Sequence, residues 1–226
     1  MKDDHAGRQP GPVSVVLVHG LWMTGLELTL VARRLRRCGF APSRFRYRSL
    51  GRPVSDNAAR LARFVRDRGE ATVHLVGHSL GGLVILRALS EYPDLPTGRV
   101  VLLGTPVTGS GVAKRLSSTA AGRILLGKSL QQALDGKGAA GTAGRQVGVI
   151  AGTSGVGVGR LVGGLAQPSD GTVAVAETSL PGAAHCTVAA THMGLVLSRD
   201  AAHQVCTFLR LGRFASGARS GELPDS

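Results

Sequence analysis

Residues 73–86 read VHLVGHSLGGLVIL. Five mostly apolar residues run into a serine hemmed by glycines, and a second apolar run follows. The first run, 73–77, has the length of a buried strand. The second, 80–92, has the length of a helix and is too apolar to face water on most sides. Between them Gly77-His78-Ser79-Leu80-Gly81 matches G-x-S-x-G, the sharp strand-to-helix elbow that holds a serine hydroxyl at its apex. Glycine is needed two residues either side of Ser79 because a Cβ there would strike the neighbouring strand or helix. The N–H groups that open the helix then point at any negative charge forming beside the hydroxyl. With 33 glycines in 226 residues, chance supplies roughly a third of one such pentapeptide. The strand before, the helix after and the extra Gly82 are what make it an elbow.

Outward from the elbow, strand and helix patterns alternate. Apolar or alternating runs at 13–18, 43–48, 73–77, 99–103, 147–151 and 185–190 read as strands. Helical patterns occupy 27–37, with Thr24 as a cap and Gly39 as the stop, 55–68, capped by Ser55 and ended by Gly69, 80–92, and 199–211. In the second helix Leu61, Phe64 and Val65 point inward. This alternation predicts an α/β fold: a doubly wound, mostly parallel sheet of about six strands with helices on both faces. One domain spans 12–212, flanked by polar tails at 1–11 and 213–226. A basic, small-residue-rich insertion at 108–146 interrupts the rhythm. The glycine-rich stretch 152–164 lacks both G-x-G-x-x-G and a Walker lysine, so it reads as a connection and not as a phosphate loop.

The composition narrows the class. An apolar fraction of 43% suits a globular chain, and no run of about 18 apolar residues exists to span a membrane. Acids near the N-terminus occupy the place of a signal peptide's apolar centre, which predicts a cytoplasmic protein. Cys38, Cys186 and Cys206 lack metal-ligand spacing and read as small core hydrophobes rather than disulfide partners. No metal or cofactor is implied. A formal net charge of +13 fits a nucleic-acid or anionic-membrane partner. Yet the arginines fall on the solvated faces of the first two helices, so no specific nucleic-acid partner is expected. Weak association with an anionic membrane surface remains compatible with the charge.

A serine hydroxyl attacks well only when a base takes its proton and a third group orients that base. Behind such an elbow the order along the chain is serine, acid, histidine. Glu91 and Asp94 end the elbow helix on the far side of the sheet, and Asp135 lies in the insertion. Asp170, in the loop after the fifth strand, is at the sheet edge where sites of such folds form. Glu177 is the fallback acid, and an Asx-turn role is the structural alternative for Asp170. His192 follows the last strand and precedes the final helix, the loop that the geometry requires. His185 is the reserve, and His203 lies mid-helix. The oxyanion would be met by the amides of Leu80 and of Leu21 in the turn after the first strand. His19 suits a role in shaping that turn. Trp22, Met23 and His78 are candidates for the substrate wall, with core packing as the plain alternative for Trp22 and Met23.

Val-His-Gly-Leu at 18–21, Gly-His-Ser-Leu-Gly-Gly at 77–82, Leu-Gly-Thr-Pro at 103–106, Ser-Asp-Gly-Thr-Val at 169–173 and Thr-His-Met-Gly at 191–194 together resemble α/β-hydrolases of the small bacterial lipase/esterase type. The resemblance runs over about residues 13–211. It implies the minimal form of that fold, without the first antiparallel strands. It also implies a Ser79–Asp170–His192 triad, an oxyanion hole at Leu21 and Leu80, and hydrolysis of small-molecule or lipid carboxylic esters without a cofactor. Val107 departs from the histidine that related lipases often carry after Gly-Thr-Pro. The short 108–146 insertion implies a small cap and an open site. Thioesterase and acyltransferase chemistry would use the same parts. A non-catalytic protein holding an anionic ligand on a hydrolase scaffold is the rival outside catalysis.

Overall fold

In a computed structural model of the protein, the described residues are 11–119, 142–156 and 165–216. Six strands form one entirely parallel sheet in the order β2-β1-β3-β4-β5-β6. They are β1 (Ser14–Val18), β2 (Ala41–Phe45), β3 (Val73–His78), β4 (Val100–Leu103), β5 (Val147–Gly152) and β6 (Ala184–Val188). The helices are α1 (Thr29–Arg37), α2 (Val54–Arg66), α3 (Leu80–Glu91), α4 (Gly111–Ser117), the short α5 (Gly194–Leu197) and α6 (Arg199–Leu211). The expected doubly wound architecture is therefore present, with every strand pairing parallel.

Period-2 alternation splits the strand side chains between two cores. Val16 and Val18 join α2 and α3 on one face. Val15 and Leu17 join α1 and α6 on the other. The mixed face explains why the strands read as continuous apolar runs, since both sides of a parallel sheet are covered. The mostly apolar α3 packs against β1, β3, β4 and α2, and its residues from Leu80 to Leu86 are all buried.

Three local expectations change. Strand β2 begins at Ala41 and stops at Phe45, because β1 ends opposite it at Val18. The inward alternation of Phe45, Tyr47 and Ser49 runs on into the loop and had lengthened the predicted strand. Helix α2 has Pro53, not Ser55, at its N-cap and no side-chain cap bond, and Gly25 takes the cap position before the turn that leads into α1. Finally, Cys38 and Cys206 are joined in a disulfide, which corrects their reading as unpaired core residues. Cys38 sits at the end of α1 and Cys206 within α6, a contact that a separation of 168 residues hides from the sequence. Cys186 is free and buried, and burial pushes its thiol up to about 12.

The chain order places the site. β1 and β3 are neighbours whose following helices, α1 and α3, lie in opposite cores. This reversal opens a crevice at the carboxyl ends of those two strands, the place where open α/β sheets bind ligands.

Candidate active site

Ser79 stands between β3 and α3 with φ 52° and ψ −123°, a left-handed backbone that costs a non-glycine residue about 1–3 kcal/mol. The surroundings hold it there. Its N–H donates to the Leu103 carbonyl at 2.9 Å, and its carbonyl accepts from the Gly82 N–H and the Thr105 hydroxyl. The flanking glycines are needed for close approach, as the pentapeptide implied. A Cβ on Gly77 would lie 2.6 Å from the Gly82 nitrogen, and one on Gly81 would run into the carbonyls of Val18 and His19.

The turn after β1 closes on the elbow from the opposite side. A Cβ built on Gly20 would sit 3.2 Å from the Ser79 Cβ and 3.1 Å from His78 Nδ1. His19, wholly buried, fixes this turn as expected. The Tyr47 N–H reaches its Nε2, so the proton belongs on Nδ1, which donates to the Gly20 carbonyl at 2.9 Å. The Tyr47 hydroxyl donates to the His19 carbonyl at 2.7 Å, and the two rings stack. Burial lowers the His19 pKa and keeps the ring neutral in that network.

Asp170 and His192 come from loops on the other side of the elbow, and the fold brings them together. His192 Nδ1 lies 2.6 Å from Asp170 Oδ2, and the His192 N–H donates to the Asp170 carbonyl. Asp170 is 1% exposed. Its other oxygen accepts from the N–H groups of Thr172 and Val173. One oxygen thus closes an Asx-turn and the other contacts the imidazole. Gly104, at φ +54°, lies directly beneath the pair: a Cβ there would be 3.0 Å from Asp170 Oδ2 and 3.1 Å from His192 Nδ1.

Ser79, His192, Leu21 and Leu80 line one pocket of about 230 Å³, together with Trp22 and Met23. Its remaining wall is largely apolar and includes Val112, Ala113 and Leu116. Helix α4, within the predicted insertion, therefore forms part of the pocket wall; residues 120–141 lie outside the described residues, as do 157–164 of the glycine-rich connection and the outer parts of both predicted tails. Trp22 is 52% exposed and adopts φ 57°, while the Met23 sulfur accepts from the Gly20 N–H.

His78 lines the pocket, but its buried ring turns toward the histidine loop. Its Nε2 lies 3.0 Å from the His192 carbonyl and can only donate there, and the two rings are 4.8 Å apart. Burial first, and the neighbouring His192 second, push its pKa down to about 3. His78 is therefore a neutral strut between the elbow and the His192 loop, a role that its position beside Ser79 did not disclose. The reserve residues lie apart from the Asp170–His192 pair. His185 Nε2 meets the Thr178 hydroxyl. Glu177 accepts from the Gly111 and Ala174 N–H groups, tying α4 to the Asp170 loop. Sequence reasoning missed Gly104, Thr105 and this bridging use of Glu177. The Leu-Gly-Thr-Pro motif marked the first two without revealing what would fold over them.

A parallel sheet with a strained serine elbow at its switch point and an aspartate-held histidine beside it defines an α/β-hydrolase. The chain matches the model of the alpha/beta hydrolase family over residues 15–207 and belongs to that family. Among solved structures it is similar to the mature lipase BlEst2 of Bacillus licheniformis, at 21% identity and TM-score 0.72, with 92% of this chain and 94% of that one covered. It is also similar to the metagenomic carboxyl esterase MGS0156, at 21% identity and TM-score 0.62 over 81% and 65% of the two chains. The carboxylesterase CesB of Bacillus subtilis aligns at 16% identity and TM-score 0.58 over 91% and 86%. A search of curated proteins finds no match.

Proposed function

We propose that the protein is a serine carboxylic-ester hydrolase acting on small or lipid esters through an acyl-enzyme on Ser79. The observation that carries this reading is the 2.6 Å contact of Asp170 Oδ2 with His192 Nδ1 beside the pocket that Ser79 and His192 share. Asp170 fixes the tautomer, leaving His192 Nε2 free to take the serine proton. Ser79 Oγ attacks the acyl carbonyl carbon, and the oxyanion is met by the amides of Leu21 and Leu80, each such donor contributing about 3 kcal/mol to the transition state. The tetrahedral intermediate collapses, and the leaving alcohol takes the proton from His192. Water then adds to the acyl-enzyme, giving up a proton to His192. Collapse of this second intermediate returns the His192 proton to Ser79 Oγ and releases the carboxylic acid, which ionises in water. The acyl chain lies along Leu21, Met23 and the α4 side chains.

The lipase and esterases of the same fold support an ester over other acyl derivatives, although thioester hydrolysis and acyl transfer would follow the same steps. The Cys38–Cys206 disulfide favours an oxidising compartment over the cytoplasm suggested by the N-terminal acids. The test is a chain-length series of p-nitrophenyl esters with matched thioesters, run beside Ser79→Ala. Ester turnover that Ser79→Ala abolishes supports the reading. Turnover confined to thioesters, or retained by the variant, overturns it.

A further inference from the structure

Beside the pocket mouth the surface turns strongly basic. Arg46, Arg48, Arg52 and Arg60 surround one shallow depression of about 490 Å³ with Tyr47 at its floor. Across residues 46–60 the only carboxylate is Asp56. Among the described residues, Arg46, Arg48 and Arg60 take part in no ion pair. Helix α2, 13 residues long, begins at this depression with no side-chain cap, adding its N–H groups to the positive field.

The basic face is continuous with the active-site wall. The Tyr47 hydroxyl holds the His19 carbonyl, one residue before the pocket-lining Gly20. The Arg46 side chain approaches Gly25, where a Cβ would meet it at 3.9 Å. Large apolar side chains stand out from the same loops: Leu26 at 64% exposed, Trp22 at 52%, and Leu50 at 41% between Arg48 and Arg52. Because all six strands are parallel, the β1–α1 and β2–α2 loops share the edge that opens the pocket. Arginines around exposed leucine and tryptophan are what an anionic bilayer attracts: the charges meet lipid phosphates while the apolar tips enter the headgroup boundary.

We propose that this face, built from the β1–α1 and β2–α2 loops, docks the protein on an anionic lipid bilayer with the pocket mouth turned toward the membrane. Free phosphate or a nucleic acid would satisfy the arginines but would leave the exposed Leu26 and Leu50 in water.

The chain contains one tryptophan, so Trp22 reports docking directly. Binding is measured on Ser79→Ala, which separates it from turnover and from the hydrolase reading, with vesicles of phosphatidylcholine alone or with 30% phosphatidylglycerol. The account expects a blue shift of Trp22 emission and co-sedimentation with the anionic vesicles only, weakening at least tenfold between 50 and 300 mM NaCl. Arg48→Glu/Arg60→Glu should weaken binding at least tenfold and the milder Arg48→Gln/Arg60→Gln at least threefold. Arg33→Glu/Arg37→Glu makes the same charge change on α1 and should weaken it less than threefold. Three results overturn the proposal: equal binding to neutral vesicles, equal loss from the α1 pair, or binding without a Trp22 shift. Inorganic phosphate or duplex DNA displacing the protein's own Trp22 signal at equal charge concentration would assign the arginines to those ligands instead.

Discussion

The two halves of the candidate site are built in different ways. Ser79 is held by its immediate neighbours in sequence and by backbone packed so closely that a Cβ at Gly77 or Gly81 has no room. Asp170 and His192 belong to loops after β5 and β6 and meet through one side-chain contact and one backbone hydrogen bond. Ser79 is thus fixed by close backbone packing, and the Asp170–His192 pair by the order in which strands enter the sheet. Gly104 joins the halves. It follows β4, the strand next to the elbow, and its bare Cα lets the pair sit down over it.

Substitutions can break this contrast in order of size. Ser79→Ala should lower kcat roughly a million-fold, as loss of a serine nucleophile does, with an unchanged melting temperature, because alanine keeps the Cβ and with it the strain of that φ. Asp170→Asn keeps the shape but favours the wrong tautomer of His192, and should lower kcat roughly ten-thousand-fold with little change in KM. Steady-state kinetics on a short-chain ester checks both.

Stability should respond to acid through the imidazoles buried along β3. Burial pushes His74 down to about 4 and His78 down to about 3, whereas an unfolded histidine titrates near 6.5. As pH falls below about 6.5 the unfolded chain binds protons that the folded one refuses. Stability is therefore complete above that pH and declines toward pH 4, by up to about 1.4 kcal/mol per pH unit for each ring. Urea midpoints at pH 7.5, 6 and 5 should fall steadily; a flat profile would mean that these rings are not neutral in the fold. A smaller loss should follow removal of the disulfide, which ties α1 to α6 away from both halves of the site. Cys38→Ser/Cys206→Ser should cost about 2–4 kcal/mol, read as a lower melting temperature with kcat unchanged. The sharpest probe of the join is the mildest. Gly104→Ala forces a Cβ against Asp170 and His192 at a left-handed φ, and should reduce kcat about 10- to 100-fold while KM stays within a few-fold.

The same contrast explains what was legible in the sequence. The elbow could be read because its determinants, the strand, the glycines and the helix, lie within 14 residues. The sheet could be read because parallel strands covered on both faces appear as apolar runs. Asp170 and His192 are reachable only through the order of groups along the chain, which leaves Glu177 and His185 as alternatives. The Cys38–Cys206 bond, the strut formed by His78 and the seat provided by Gly104 depend on distances between elements far apart in the chain, and no local pattern encodes them. The α2 cap was misplaced for the opposite reason: Ser55 satisfies a local preference, but the loop leaving β2 delivers Pro53 to the cap position instead.

The most direct measurement is intact-mass labelling with a fluorophosphonate, which needs an activated serine but no knowledge of the substrate. The account predicts one adduct per chain, mapped to Ser79, absent in Ser79→Ala and formed at least a hundredfold more slowly in Asp170→Asn. An adduct on another residue, or Asp170→Asn labelling as fast as the unaltered protein, would contradict it.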